Sequence, residues 1–456
     1  MRFFIVILCI LSFLFANSCG KDRQIEIGKE MLRSGRFMEA QTHFENIIRI
    51  QPQNARAHYQ LGRVYYALEQ YQKAVEQYKQ ALNIQPQNPE IQIAMGEALL
   101  FGEQNMEALR MFLQALQPSG PPPQPPRKQG GKERRIKNQY VLKIAGLVGD
   151  AFHVSQLTQI DKDNCLPSFS PDGRYIAFTS YRDEDGEIYI MNADGAEQKR
   201  LTIHPQKNDY SASFSADGKK ILFASSDDRL SQANVTLQSD GSSARSELFY
   251  LLDLNGNQMT PLMNNSSPIG NPVFSPDGSQ IAFEANAGGN LDIYLMDTDG
   301  KNRRRITTEP ADDGQPAFSP DGKYIAFVSR RDDNYELYMM DANGSNQRRL
   351  TYTPVDEYDP AFSSDGKKLA YVSAKGHDLE LMLLDLKTKA SLQLTKTPGA
   401  NINPAFSLNG KLAFASDRTD YLEIYLMDLR RPMSQTELIT NIKKMISGES
   451  LDFRSF

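Results

Sequence analysis

The feature that most constrains this 456-residue chain is a pentapeptide that returns six times in its second half. Phe169-Ser-Pro-Asp-Gly173 recurs from Phe274 and Phe318, as Phe-Ser-Ala-Asp-Gly from Phe214, as Phe-Ser-Ser-Asp-Gly from Phe362 and as Phe-Ser-Leu-Asn-Gly from Phe406, at steps of 45, 60, 44, 44 and 44 residues. Each copy leads into an alternating apolar run such as Ile325-Ala-Phe-Val-Ser329, then a second run such as Glu336-Leu-Tyr-Met-Met-Asp341. A turn such as Ala342-Asn-Gly344 and a segment ending Arg349-Leu-Thr351 complete the unit. Period-two alternation marks strands, and Asp-Gly or Asn-Gly marks hairpins because glycine accepts the positive φ such turns require. Four strands in each of six units predict a six-bladed β-propeller over residues 138–440, with 441–456 as a C-terminal tail. Seven segments compete to be outer strands; we expect Val154 to Thr158 to close the last blade, which removes an open sheet edge.

The first half has a different period. Gly28, Gly62 and Gly96 are 34 residues apart, as are Ala40, Ala74 and Ala108, and Phe44, Tyr78 and Phe112; Pro52 and Pro86 close the first two units. Within a unit the glycine lets two helices cross, the alanine packs where only a methyl fits, and the aromatic fills the space between units. This pattern resembles the tetratricopeptide repeat, three copies over residues 19–117, which implies a helical solenoid with a groove for peptides or helices. The expected architecture is therefore an N-terminal α solenoid followed by an all-β propeller. The last repeat helix (Met106, Leu109, Leu113, Leu116) lacks an evident capping helix and is expected to dock on the propeller or a partner. Pro118 to Lys137, rich in proline and then in basic residues, reads as a linker.

Arg2 and the 13-residue apolar run Phe3 to Phe15 read as a signal segment over residues 1–18, too short to span a bilayer. Ala16-Asn17-Ser18-Cys19 resembles a bacterial lipobox, which implies a lipidated Cys19 and attachment to a membrane through that lipid. Gly20 after it leans toward the outer membrane, facing the periplasm. Cys9 is lost with the signal, so Cys165 alone is left and has no disulfide partner.

A mean hydropathy of −0.50 excludes a polytopic membrane protein. A formal charge of −5 removes the electrostatic case for nucleic acid. The propeller repeats resemble those of the TolB family, also described as WD40-like with a Pro-Asp signature. That implies an envelope role, with a scaffold or adaptor binding protein or peptide partners. No nucleophile motif, phosphate loop or metal-ligand spacing stands out, so the chain reads as a non-enzyme with no cofactor and no metal; its oligomeric state is not legible. Asp163, Asp209, Asn271, Asp313, Asp359 and Asn403 recur once per blade before the inner strand, and their regularity points to loop capping. Binding is expected on the face carrying Tyr181, Arg182, Asp209, Tyr210, Arg330, Arg331, Tyr335, Tyr358, Asp359, Arg418 and Tyr421, because Tyr and Arg dominate interface hot spots. The 16-residue excess of blade two, within Asp227 to Ser246, reads as a functional or disordered loop. The alternative is a propeller that senses or hydrolyses a small ligand such as a sugar or lactone.

Overall fold

The computed structural model describes residues 23–102, 104–117, 131–204, 207–226, 247–264, 269–286, 289–375, 378–397 and 399–447. Cys19 with its signal segment, the proline run and the blade-two insertion lie outside the described residues. These residues divide into two compact units, a helical one (23–144, 352–354 and 434–447) and a propeller (145–351 and 355–433).

The helical unit begins with α1 (residues 23–33), followed by α2 (Phe37–Ile50), α3 (Ala55–Ala67), α4 (Tyr71–Ile84), α5 (Pro89–Phe101) and α6 (Asn105–Leu116). Asn54 and Asn88 cap α3 and α5, their side-chain oxygens accepting from the Ala57 N–H at 3.1 Å and the Glu90 N–H at 3.1 Å. The 34-residue period is explained by close approach. A Cβ on Gly62 would lie 2.5 Å from the Tyr78 ring, and one on Gly96 2.5 Å from the Phe112 ring. Those rings are fully buried, as is Phe44 against Gly28.

A seventh helix, α7 (Gly131–Val148), starts inside the stretch read as linker, and α8 (Gln435–Ser447) replaces much of the expected tail. α8 packs on α6: Gln435 Nε2 donates to the Leu116 carbonyl at 2.9 Å, and Leu438 and Ile442 are fully buried. The last repeat helix is therefore covered by the chain's own C-terminal helix, which acts as the cap a solenoid needs.

The propeller opens with β1 (Phe152–Gln156). Blade one is β2 (Asn164–Phe169), β3 (Tyr175–Asp183), β4 (Asp185–Asn192) and β5 (Lys199–Arg200). Blade two is β6 (Asn208–Phe214), β7 (Lys220–Ser226), β8 (Glu247–Asp253) and β9 (Gln258–Asn264). Blade three is β10 (Ile269–Phe274), β11 (Gln280–Asn286), β12 (Leu291–Asp297) and β13 (Arg304–Arg305). Blade four is β14 (Asp313–Phe318), β15 (Tyr324–Asp332), β16 (Asn334–Asp341) and β17 (Arg348–Arg349). Blade five is β18 (Glu357–Phe362), β19 (Lys368–Lys375), β20 (Asp378–Asp385) and β21 (Ser391–Gln393). Blade six holds β22 (Asn401–Phe406), β23 (Lys411–Thr419) and β24 (Tyr421–Pro432), with β1 as its outermost strand, Val154 opposite Met427. The N-terminal strand thus closes the ring.

The pentapeptide makes the turn between the first two strands of a blade. In blade one, Ser170 Oγ donates to Asp172 Oδ1 at 2.6 Å and accepts the Tyr175 N–H at 3.0 Å, while Gly173 takes φ +70°. The second strand then supplies a fully buried ring in each of five blades, Phe178, Phe223, Phe283, Phe327 and Phe414; blade five has Tyr371. Phe223, Phe283, Phe327 and Tyr371 pack against the preceding blade and form much of the core.

Candidate functional site

Each innermost strand carries a bulge three residues before its motif phenylalanine. The bulged residue is Leu166, Ser211, Asn271, Gln315, Asp359 or Asn403, and all six hold positive φ between 46° and 55°. Backbone in this region costs about 1 kcal/mol for a non-glycine residue and persists only where its surroundings demand it. Here the bulge turns these side chains along the wall of a central cavity of about 190 Å³, also lined by Pro167, Pro272, Pro316, Pro360 and Pro404.

The six positions are laced by hydrogen bonds between blades. Gln315 Nε2 donates to Asp359 Oδ1 at 2.8 Å, and the Asp359 N–H donates back to Gln315 Oε1 at 2.8 Å. Asn403 Nδ2 donates to Asp359 Oδ2 at 2.9 Å, and the Leu166 N–H donates to Asn403 Oδ1 at 3.3 Å. Glu284 joins from β11, accepting Asn271 Nδ2 at 3.0 Å and the Gln315 N–H at 2.7 Å. Its carboxylate lies where side chains on Gly270 and Gly314 would start, 2.9 and 2.7 Å from their would-be Cβ atoms. Enclosure raises the pKa of Glu284 and pushes Asp359 up to about 6, with Glu284 adding to the latter by repulsion. Among the described residues lining the cavity, Asp359 alone has an ionisable side chain and none is cationic; the rest of its polar wall is serine, asparagine and glutamine.

The six polar residues read as one recurring position occupy three. Asn271, Asp359 and Asn403 belong to the bulge ring. Asp209 and Asp313 lie two residues earlier and are fully buried: Asp209 accepts His204 Nδ1 at 2.9 Å, and Asp313 accepts Arg331 Nη2 at 2.9 Å. Asp163 lies one residue earlier still and accepts the Leu422 N–H of blade six at 2.9 Å. Asn208, Asp312 and Asp356 make the same inter-blade bond, to the N–H groups of Gly186, Leu291 and Tyr335 at 2.7–2.8 Å.

The residues expected on the binding face also separate. Arg182, Arg331 and Arg418 fold back over their own blades, 4.2, 4.6 and 4.8 Å from the rings of Tyr189, Tyr338 and Tyr425. They also bond Asn164, Asp313 and Asn401, so each ties the first two strands of its own blade together. Tyr181, Tyr210 and Asp209 are buried. Arg330, Tyr335, Tyr358 and Tyr421 keep accessible surface. Three of these form a cluster, with Arg330 5.8 Å from the Tyr335 ring and Tyr335 5.5 Å from Tyr358. Asp359 belongs to the channel. Glu284 and Gln315 escaped the sequence reading. Glu284 carried a signal, because the same position holds Thr179, Ala224, Val328, Val372 and Ala415 in the other blades.

Comparison with known proteins places this ring. The family profile described as the TolB beta propeller domain matches residues 138–248, 242–358 and 332–447, more than half of the chain. The chain belongs to the TolB beta-propeller family. A tetratricopeptide-repeat profile matches residues 31–97. One relative is the uncharacterized peptidase YuxL of Bacillus subtilis, 31% identical over 153 residues, 28% of this chain and 23% of that one. Another is the Tol-Pal system protein TolB of Francisella tularensis subsp. mediasiatica, 36% identical over 101 residues, 22% of this chain and 23% of the relative. The chain thus spans about a quarter of the length of either. The crystal structure of TolB from Acinetobacter baumannii is 26% identical, covering 55% of this chain and 58% of that one, at a TM-score of 0.46.

These relatives correct one expectation. The sequence read as a non-enzyme, but a relative of its propeller region is named a peptidase, so membership in this family does not exclude catalysis. Among the described residues no three His, Cys, Asp or Glu side chains converge as a metal ion would need, and no helix is long and apolar enough to cross a membrane.

Proposed function

We propose that this chain binds protein or peptide partners in the bacterial envelope, through the accessible rim of its propeller and the groove of its repeats. The observation that carries the reading is the Arg330–Tyr335–Tyr358 cluster. Its two rings and one guanidinium sit together on a propeller whose relatives include a Tol-Pal system protein. The lipobox supports a lipid anchor at Cys19 and a periplasm-facing outer-membrane location, and two tethered binding modules raise the effective concentration of a shared complex. A photo-crosslinker placed at Tyr335 or Tyr358 in living cells should trap a discrete protein adduct, while one at exposed Leu408 should not. Equal trapping at all three positions would defeat the rim assignment. Cys19→Ser should release the protein from the membrane fraction; unchanged fractionation would remove the anchor.

A second reading places a small ligand in the channel. It is favoured by the Asp359 carboxylate on a cavity wall without a cation, among the described residues. A thermal-shift screen of small amines and sugars, with Asp359→Ala as control, separates it from the first.

A further inference from the structure

One face of the helical unit already holds a ligand. Tyr59 and Tyr66 stand seven residues apart on α3, and Glu90 and Glu97 seven apart on α5, so each pair lies on one side of its helix. Tyr59 Oη donates to Glu90 Oε1 at 3.0 Å, and Tyr66 Oη donates to Glu97 Oε1 at 3.1 Å. The tyrosines thereby fix both carboxylates in place. Glu97 uses its second oxygen, Oε2, to hold Lys143 Nζ of α7 at 2.8 Å. Tyr140 lies one turn before Lys143, and the Glu90 charge acts on its hydroxyl as well as burial does. Val141 and Ile144 of the same turn are buried. The occupant is complementary in charge to the face, because residues 131–143 carry Lys132, Arg134, Arg135, Lys137 and Lys143 against one acid, Glu133.

We propose that the Tyr59–Glu90 and Tyr66–Glu97 face is a docking surface for a basic, aromatic helical segment. Residues Tyr140–Ile144 of the same chain are its resident ligand, so a partner helix of like chemistry must displace them. This deepens the groove half of the function proposed above. A resident segment lowers the apparent affinity of any competitor by the fraction of molecules in which the face is free. The ion pair itself is partly exposed, which limits the effect of simple truncation; reversing the charge adds repulsion from Glu97.

The test is fluorescence anisotropy of a labelled peptide of residues 131–148 titrated with the full chain. The Lys143→Glu protein should bind this peptide about two- to fivefold more tightly than the unaltered chain, an effect of the size expected for one partly exposed pair. Adding Glu97→Lys should abolish the gain. Should Lys143→Glu melt abnormally, Lys143→Met is expected to move affinity in the same direction by a smaller factor. Equal affinities in the unaltered and Lys143 variants, a gain that survives Glu97→Lys, or no binding by any of the proteins would overturn the proposal. Failure of the rim crosslinks leaves this outcome untouched, so the two readings fail separately.

Discussion

Asp359 of blade five accepts the side-chain amide of Asn403 of blade six at 2.9 Å, although both residues sit in strained left-handed backbone. The bond ties blade five to blade six at the centre of the ring, where the six innermost strands line the cavity. It also places a carboxylate in an enclosed wall, and that has a consequence for pH.

Burial raises Asp359 to about 6 and Glu380 to about 7 in the folded protein, above the ordinary carboxylate range. Between about pH 4 and those values the folded chain holds protons that the unfolded chain has released. Stability from these groups is therefore greatest at the acid end and falls as pH rises through the window. Unfolding free energies from urea titrations should decline between pH 4 and pH 7 less steeply in Asp359→Asn/Glu380→Gln than in the unaltered chain, by about 2–3 kcal/mol per group. Parallel profiles would sink the assignment.

The Leu-Thr or Ile-Thr pair that follows the outer strand in five of the six blades has a structural task. Thr307 Oγ1 accepts the Ile293 N–H at 2.9 Å and donates to buried Asp292; Thr158 does the same for Ile424 and Glu423 of the closing blade. Thr158→Val strands the buried Ile424 N–H and takes one donor from Glu423, which keeps Asn164 and the Ile160 N–H, at a cost of about 1–3 kcal/mol. We expect a lower melting temperature for Thr158→Val and Thr307→Val alike; a stable Thr158→Val would mean that β1 does not hold the ring shut.

Gly62→Ala forces a methyl into the Tyr78 ring, against which Gly62 packs, and should cost the helical unit about 1–3 kcal/mol. Gly256→Ala, with nothing within 4 Å of its would-be Cβ, serves as the control. Helical circular dichroism at 222 nm during melting distinguishes them, and equal melting would refute the tight crossing.

Arg331 and Tyr335 were grouped by sequence but separate by role. Arg331→Ala leaves fully buried Asp313 without its cation and should lower the melting temperature strongly, about 3 kcal/mol. Tyr335→Ala removes a half-buried ring packed against the blade-four core, so it should lower melting less than Arg331→Ala does, and it should reduce partner crosslinking. The opposite pattern, a stable Arg331→Ala with lost crosslinks, would return Arg331 to the binding face.

Local chemistry was legible along the chain. The Phe-Ser-x-Asp-Gly turn, the period-two strands, the Gly-to-aromatic crossings and the closing β1 all follow from residue size, φ preference and alternation, which act over a few residues or a fixed period. Tertiary structure alone decided where the charges went. Gln435 reaches Leu116 across 319 residues, Glu284 lies where two glycines of neighbouring strands make room, and Arg182, Arg331 and Arg418 turn inward onto tyrosine rings rather than outward. The physical reason is that a repeat determines a blade's backbone. Which face a long side chain chooses depends on the free energy of desolvating it, and that is set by whichever acid, ring or gap the fold brings alongside: a tyrosine and a polar partner of the same blade for the arginines, and glycines of two adjacent blades for Glu284.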